Sequence, residues 1–189
     1  MQNYLATKAK EKLNYHGKLG ASHVKAVLET IDGTIWTGPV YMARFTPMDV
    51  IFDTGSDWLV IEDDKCKECE GNTFNGRTGT RVGARETERT YGNAWMRGVE
   101  YENTVCLLLA ACVSNFQYFG IWEAEGISEP IDGILGLARG DYYFHLGDMT
   151  RQSAPLYIDG MFKEDLIEQR TFSFFLSQEE KSYVDFGPP

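Results

Sequence analysis

Asp53-Thr54-Gly55-Ser56 stands between two apolar runs, Val50-Ile51-Phe52 and Leu59-Val60-Ile61. A carboxylate in such surroundings must be hydrogen-bonded, or its pKa shifts until it neutralises. The Thr54 and Ser56 hydroxyls and the Gly55 N–H are the donors at hand, and Gly55 also lets a ligand or a second backbone come close. An acid held this way can take a proton from water or return one to a reacting group. The plainer alternative is a turn in which Asp53 caps its own backbone.

The elements that must position this tetrapeptide read as strands. Val27, Leu28, Ile31, Ile35, Trp36, Val40 and Met42 are spaced as short strands, broken at Asp32-Gly33 and again at Gly38-Pro39. Asp49 to Glu62 is strand, tight turn, strand. Asp63 to Arg85 is a polar, Gly-rich excursion. Strand signals resume at Arg89 to Tyr91 and Met96 to Tyr101, joined by a hairpin turn at Gly92-Asn93. Two further strands are predicted over Thr104 to Leu109 and Cys112 to Ile121, and a Gly-interrupted apolar run over Ile131 to Leu137. Pro155 to Glu168 has helical spacing, and Phe172 to Leu176 and Tyr183 to Phe186 close as strands. The expected class is all-β with one or two short helices. Residues 1–23 form a separate basic segment with Lys8, Lys10, Lys12 and Lys18, and residues 24–189 form one domain.

Composition agrees and excludes. The 189 residues are 43% apolar and 24% charged, enough for a packed core, and 19 Gly, 10 Tyr and 11 Phe suit a turn-rich β protein. A formal charge of -10 argues against a nucleic-acid partner, since phosphate contacts need Lys/Arg surfaces. The longest apolar run, Val105 to Val113, is about half of what a membrane-spanning helix needs, so no membrane span is expected. The first twenty residues lack the apolar stretch of a secretory leader, which leaves a cytosolic chain or a leader already removed. Cys66 and Cys69 form a CxxC, while Cys106 and Cys112 flank a short apolar segment. Zinc is one reading, but the second pair has the wrong spacing and His16, His23 and His145 are scattered, so local disulfides or buried thiols are preferred.

The ordered set of motifs resembles the pepsin-like aspartic peptidases. Val50-Ile51-Phe52-Asp53-Thr54-Gly55-Ser56 is similar to their active-site strand. Ile131-Asp132-Gly133-Ile134-Leu135-Gly136-Leu137-Ala138 is similar to the apolar-apolar-Gly strand that passes through the loop of the catalytic strands. Thr90-Tyr91-Gly92 resembles the tip of the flap hairpin that covers substrate. Trp36-Thr37-Gly38-Pro39-Val40 and Phe172-Ser173-Phe174-Phe175-Leu176 match flanking segments in the right order, and Cys66/Cys69 stand where many members carry a small disulfide loop. The resemblance spans residues 24 to 189. It implies one pepsin-like lobe, a double-psi type of β-barrel or sandwich, with Asp53 as a catalytic acid, Thr54, Gly55 and Ser56 as its support, and Tyr91 and Gly92 as the substrate-binding flap. It implies a polypeptide substrate, no metal or organic cofactor, and a secreted, lysosomal or vacuolar setting.

Departures from the pattern matter as much. Members of this family take one catalytic Asp from each of two lobes, and this sequence has a single D-T-G; Asp32-Gly33, Asp132-Gly133 and Asp159-Gly160 lack the apolar lead or the Thr/Ser. Asp132 reads as a structural residue. Two close carboxylates share a proton, the ionised one acting as general base on water and the protonated one polarising the carbonyl. Asp53 supplies one half, so an isolated lobe is expected to be inactive. The second Asp would come from a missing lobe or a homodimer mate; otherwise the lobe is a catalytically inactive peptide- or protein-binding module. Ala94 and Trp95 replace small residues of the flap pattern. Val60 stands where the family often has a Trp bonded to the flap Tyr, and Trp58 is expected to point to the opposite face. Residues 1–23 are either a remnant of a zymogen's basic prosegment or a solvated tail. Ser56 either orients the Asp53 carboxylate or only stabilises the turn. Trp122, Tyr118 and Phe119 either line a pocket or pack in the core.

Overall fold

The computed structural model describes residues 23–30, 32–91, 94–126, 131–139 and 154–188. The basic N-terminal lysines, Gly92 and the aromatic loop around His145 lie outside these residues.

Among the described residues ten strands make one sheet: β1 (Val24–Thr30), β2 (Trp36–Met42), β3 (Thr46–Asp53), β4 (Leu59–Glu62), β5 (Thr80–Tyr91), β6 (Ala94–Leu108), β7 (Ala111–Glu125), β8 (Gly133–Gly136), β9 (Phe172–Phe175) and β10 (Ser182–Phe186). The order β6-β7-β4-β8-β3-β2 closes on itself, because β2 also pairs with β6 through Tyr41↔Cys106 and Met42↔Val105. The result is a six-stranded barrel. β5 is an edge strand on β6, and β1, β10 and β9 extend from β2. This is the expected all-β lobe. Closure removes the barrel's sheet edges, and alternation along β3 sends Met48, Val50 and Phe52 inward.

Several predicted boundaries move. β2 runs straight through Gly38-Pro39. Pro39 falls between the part of β2 that pairs with β1 (Thr37, Trp36) and the part that pairs with β6 (Tyr41, Met42), where that flank has no ladder to break. The segments Met96–Tyr101 and Thr104–Leu109 are one strand, β6, with register shifts between Arg97 and Gly98 and between Asn103 and Val105. β5 begins inside the polar excursion, at Thr80. The helical pattern of 155–168 yields one α-helix among the described residues, α1 (Tyr157–Lys163). It ends at Glu164, followed by Asp165 at φ 54°. Its Tyr157 and Met161 are buried; Tyr157 meets Phe116 edge-on at 5.1 Å and its hydroxyl donates to the Val105 carbonyl at 3.0 Å.

The four cysteines form two disulfides, Cys66–Cys69 in the excursion and Cys106–Cys112 across the β6–β7 hairpin, which consumes the thiolates a zinc site would need. Among the described residues no helix is long and apolar enough to cross a membrane.

Candidate active site

β3 and β8 run parallel, Val50 to Asp53 beside Gly133 to Gly136, and β4 lies antiparallel on the other side of β8. The chain therefore leaves β3 at Asp53, crosses over the end of β8, and returns as β4. β8 holds that crossing by three backbone bonds: Leu137 N–H to the Asp53 carbonyl at 2.7 Å, Ala138 N–H to Ser56 at 2.8 Å, and Gly136 N–H to Trp58 at 2.9 Å. The contact is close enough to demand glycine. A Cβ at Gly136 would lie 2.5 Å from the Asp57 carbonyl carbon and 2.6 Å from the Trp58 nitrogen.

Asp53 ends β3 half-buried, followed by exposed Thr54 and Gly55. Its Oδ1 accepts the Gly55 N–H at 2.9 Å, as the sequence allowed. Gly55 is crowded by this arrangement, since a Cβ there would come 3.2 Å from the same oxygen. Ser56 is buried, but among the described residues its Oγ has no hydrogen-bond partner, Asp53 included. Asp53 thus presents a carboxylate at an open rim, steadied by one backbone donor.

The hairpin β5–β6 ends at the Tyr91↔Ala94 pair, with Trp95 half-buried beside it. Trp58 does not point away from Val60. Both belong to one buried cluster with Met96, Phe119, Ile121 and Ala154, because residues two apart on extended chain share a face. Tyr118 and Phe119 are core, and Trp122 is half-buried under the Lys65 ammonium, 3.6 Å from its ring centre.

At the other end of β8, where it enters beside Asp49, lies a carboxyl network. Asp132 is buried, accepting the Asp49 N–H at 2.7 Å on one oxygen and the Asn72 N–H at 2.6 Å on the other. The structural reading of Asp132 stands. Glu62, the last residue of β4, is buried too and accepts the Gly71 N–H at 3.0 Å. Burial pushes its carboxyl up to about 7, with the negative charges of Asp132 and Glu70 adding to the rise. Nothing singled Glu62 out in the sequence; the only signal was a charge closing an apolar strand. A groove of about 750 Å³ lies elsewhere, lined by β1, Trp36, Tyr41 and the turn at Ser177–Ser182, and Asp53 does not border it.

The eukaryotic aspartyl protease family model matches residues 45–188. The chain belongs to that family. It is similar to pepsin A of Canis lupus familiaris, 34% identical over 149 residues, covering 73% of this chain and 36% of that protein. It is also similar to pepsin II-2/3 of Oryctolagus cuniculus (32% over 149 residues, 73% and 36%) and pepsin-2B of Gadus morhua (33% over 137 residues, 68% and 40%). The chain thus spans well under half the length of these relatives. The matched residues include β3 and β8, the two parallel strands at the crossing that carries Asp53.

Proposed function

We propose that residues 24–189 serve as one lobe of an aspartic endopeptidase, with Asp53 as one of two carboxyl groups that turn water on a peptide bond. The carrying observation is the crossing itself: Asp53 stands at the open end of β3, its backbone fixed by β8, with exposed Thr54 and Gly55 beside it. A rim left open in this way suits a second loop of the same kind, which would set its own carboxyl beside Asp53. Two close carboxyls cannot both ionise easily, so one takes the water's proton while the other donates to the carbonyl oxygen. Asp53 with its Gly55 donor fills one of these roles.

The other described Asp-Gly pairs have different duties. Asp32 accepts from Thr34 and Ile35, Asp132 is enclosed in its network, and Asp159 is paired with Arg170 at 2.7 Å. In this reading the second acid comes from a further lobe or from a second copy about a two-fold axis. Thr54, Gly55 and Ser56 support Asp53 in this reading, and Tyr91 and Gly92 cover a polypeptide substrate. Residues 1–23 act as a prosegment remnant whose lysines pair with the catalytic carboxyls until acid protonates them. Two disulfides suit a secreted, lysosomal or vacuolar setting.

A catalytically inactive peptide-binding lobe is the second reading, favoured by Trp95 and Ala94 beside Tyr91 and by Val60 in the Trp58 cluster. Size-exclusion chromatography coupled to a peptide-cleavage assay at about pH 4 decides between them. Cleavage by a dimer, or by the chain joined to a second lobe, that disappears in Asp53→Asn supports the peptidase. Peptide binding without cleavage in every pairing supports the binding lobe. Cleavage by a strict monomer overturns the shared-carboxyl mechanism.

A further inference from the structure

β5 hydrogen-bonds to β6 and to no other described strand; β6 is laddered to β7 as far as Trp95↔Glu125, so β5 is the free edge of the hairpin and its side chains decide how that edge is held. One of these is unusual. Arg89, two residues before Tyr91 and paired with Met96, places its guanidinium carbon 3.9 Å from the Trp58 ring centre and 4.5 Å from that of Phe119. Its Nη2 lies 2.7 Å from Glu100 Oε1, and both side chains are under a fifth exposed, at 18% and 19%. The other Glu100 oxygen accepts from Gln117 Nε2 at 2.5 Å, so the carboxylate is itself pinned to β7.

We propose that Arg89 is a positioning residue that fixes the β5 edge of the β5–β6 hairpin by stacking on Trp58, at the end of the crossing that carries Asp53. The inference rests on the peptidase reading only for its kinetic consequence. A cation this enclosed is tolerated because an ion pair and two aromatic faces replace its water. Its planar fork fixes rotation as well as distance, which neither an aliphatic side chain nor a lysine does. Trp58 is the right floor for such a contact. It is 6% exposed, follows Asp53 by five positions, and its carbonyl is held by Gly136, the β8 residue that pairs with Asp53. A rigid path therefore joins the hairpin to the acid: guanidinium, indole, β8, Asp53. Trp58 shares one buried cluster with Val60, with Met96 of the hairpin and with Phe119 and Ile121 of β7.

The test uses the full chain with Arg89→Met, Arg89→Lys, Glu100→Gln and Trp58→Phe. Amide exchange in 87–91 and 94–98 is expected to rise about tenfold in Arg89→Met, with 46–53 and 133–136 unchanged. Arg89→Lys keeps the charge but not the plane, and is expected to recover less than half of that protection. Emission should change between wild type and Arg89→Met, and the change should vanish in a Trp58→Phe background, a signature that loosened packing elsewhere would not give. In a pairing that cleaves peptide, KM should rise about fivefold in Arg89→Met with kcat held. Unchanged exchange together with a Trp58-independent emission overturns the proposal, as does full rescue by lysine. If Arg89→Met does not fold, Arg89→Lys and Glu100→Gln carry the same comparison. If no pairing cleaves peptide, the peptidase reading fails, while exchange and emission still decide the role of Arg89.

Discussion

Asp132 and Asp49 hold each other twice: the Asp132 N–H donates to the Asp49 carbonyl at 2.9 Å, and the Asp49 N–H donates to the Asp132 carboxylate at 2.7 Å. The same carboxylate takes the Asn72 backbone and side-chain amides. One buried side chain thus binds the entry of β8 to β3 and to the loop after the Cys66–Cys69 disulfide.

Removing that carboxylate should be costly. Asp132→Ala removes the charged acceptor that the Asp49 and Asn72 N–H groups share across a part-buried contact, a loss of about 3 kcal/mol at roughly 1.5 kcal/mol per hydrogen bond to a charged group. Asp132→Asn keeps the shape but turns an NH2 towards one of the donors, so it should lose less, about 1–2 kcal/mol. Urea unfolding measures both. Equal stability of all three proteins would mean that the network is replaceable by water.

Glu62 predicts the pH dependence. Burial holds its carboxyl at about 7 in the folded chain, above the ordinary glutamate value of 4.5. Between those two values the unfolded chain has released the proton while the folded chain keeps it, so the folded state binds more protons and stability falls as pH rises. Below the window and above it, this group contributes no slope. The loss across the window is on the order of 2–3 kcal/mol, and Glu62→Gln should flatten it. Asp132→Asn removes a raising charge and should shift the fall to lower pH. Urea midpoints recorded from about pH 5 to about pH 8 check this; a wild-type midpoint that stays level or rises counts against it.

What the sequence disclosed follows from how local each determinant is. The β3 strand, the Asp53–Ser56 crossing and β4 were legible because their cause is local: β-branched runs on either side of a small polar turn. The β8 strand was legible as a segment, but the reason for its Gly136, a backbone 2.5 Å from where a Cβ would stand, belongs to residues some eighty positions earlier. Glu62 and Arg89 were silent for the same reason. Their environments are assembled by β7 and by a β5–β6 register that shifts between Val82 and Thr87, which no periodicity reveals. The helix overran in the reading because apolar spacing continues to Ile167 while the backbone has already turned at Asp165, φ 54°.

The β2–β3 turn stores removable strain. Ala43 and Arg44 adopt φ values of 49° and 73°, and Phe45 N–H closes the turn on the Met42 carbonyl at 3.2 Å. Both residues sit in the left-handed region, where a Cβ crowds the next carbonyl at about 1–2 kcal/mol. Arg44 is exposed, so Arg44→Gly should relieve this strain with little packing lost. Gly's larger unfolded entropy offsets part of the gain, leaving on the order of 0.5–1 kcal/mol. That is about 2 °C in Tm for a domain of this size. A lower Tm in differential scanning calorimetry would show that the Arg44 side chain supports the turn after all.

Gly136→Ala tests whether the crossing positions the acid. The added methyl would meet backbone atoms of Asp57 and Trp58, within 2.5 Å and 2.6 Å, where no flexible side chain can yield. The loop must lift off β8, stretching the Gly136–Trp58 bond and disturbing the neighbouring Leu137–Asp53 bond. Overpacking of this kind costs about 1–3 kcal/mol. Because the displaced loop carries Asp53, the effect on peptide cleavage in an active pairing should exceed the effect on stability, with kcat/KM falling at least about a hundredfold under conditions where the protein remains folded. Urea unfolding and cleavage kinetics on the same preparation separate the two effects. If cleavage survived at the wild-type rate in a folded Gly136→Ala protein, β8 would be scaffolding for the barrel and not the seat of the carboxyl group.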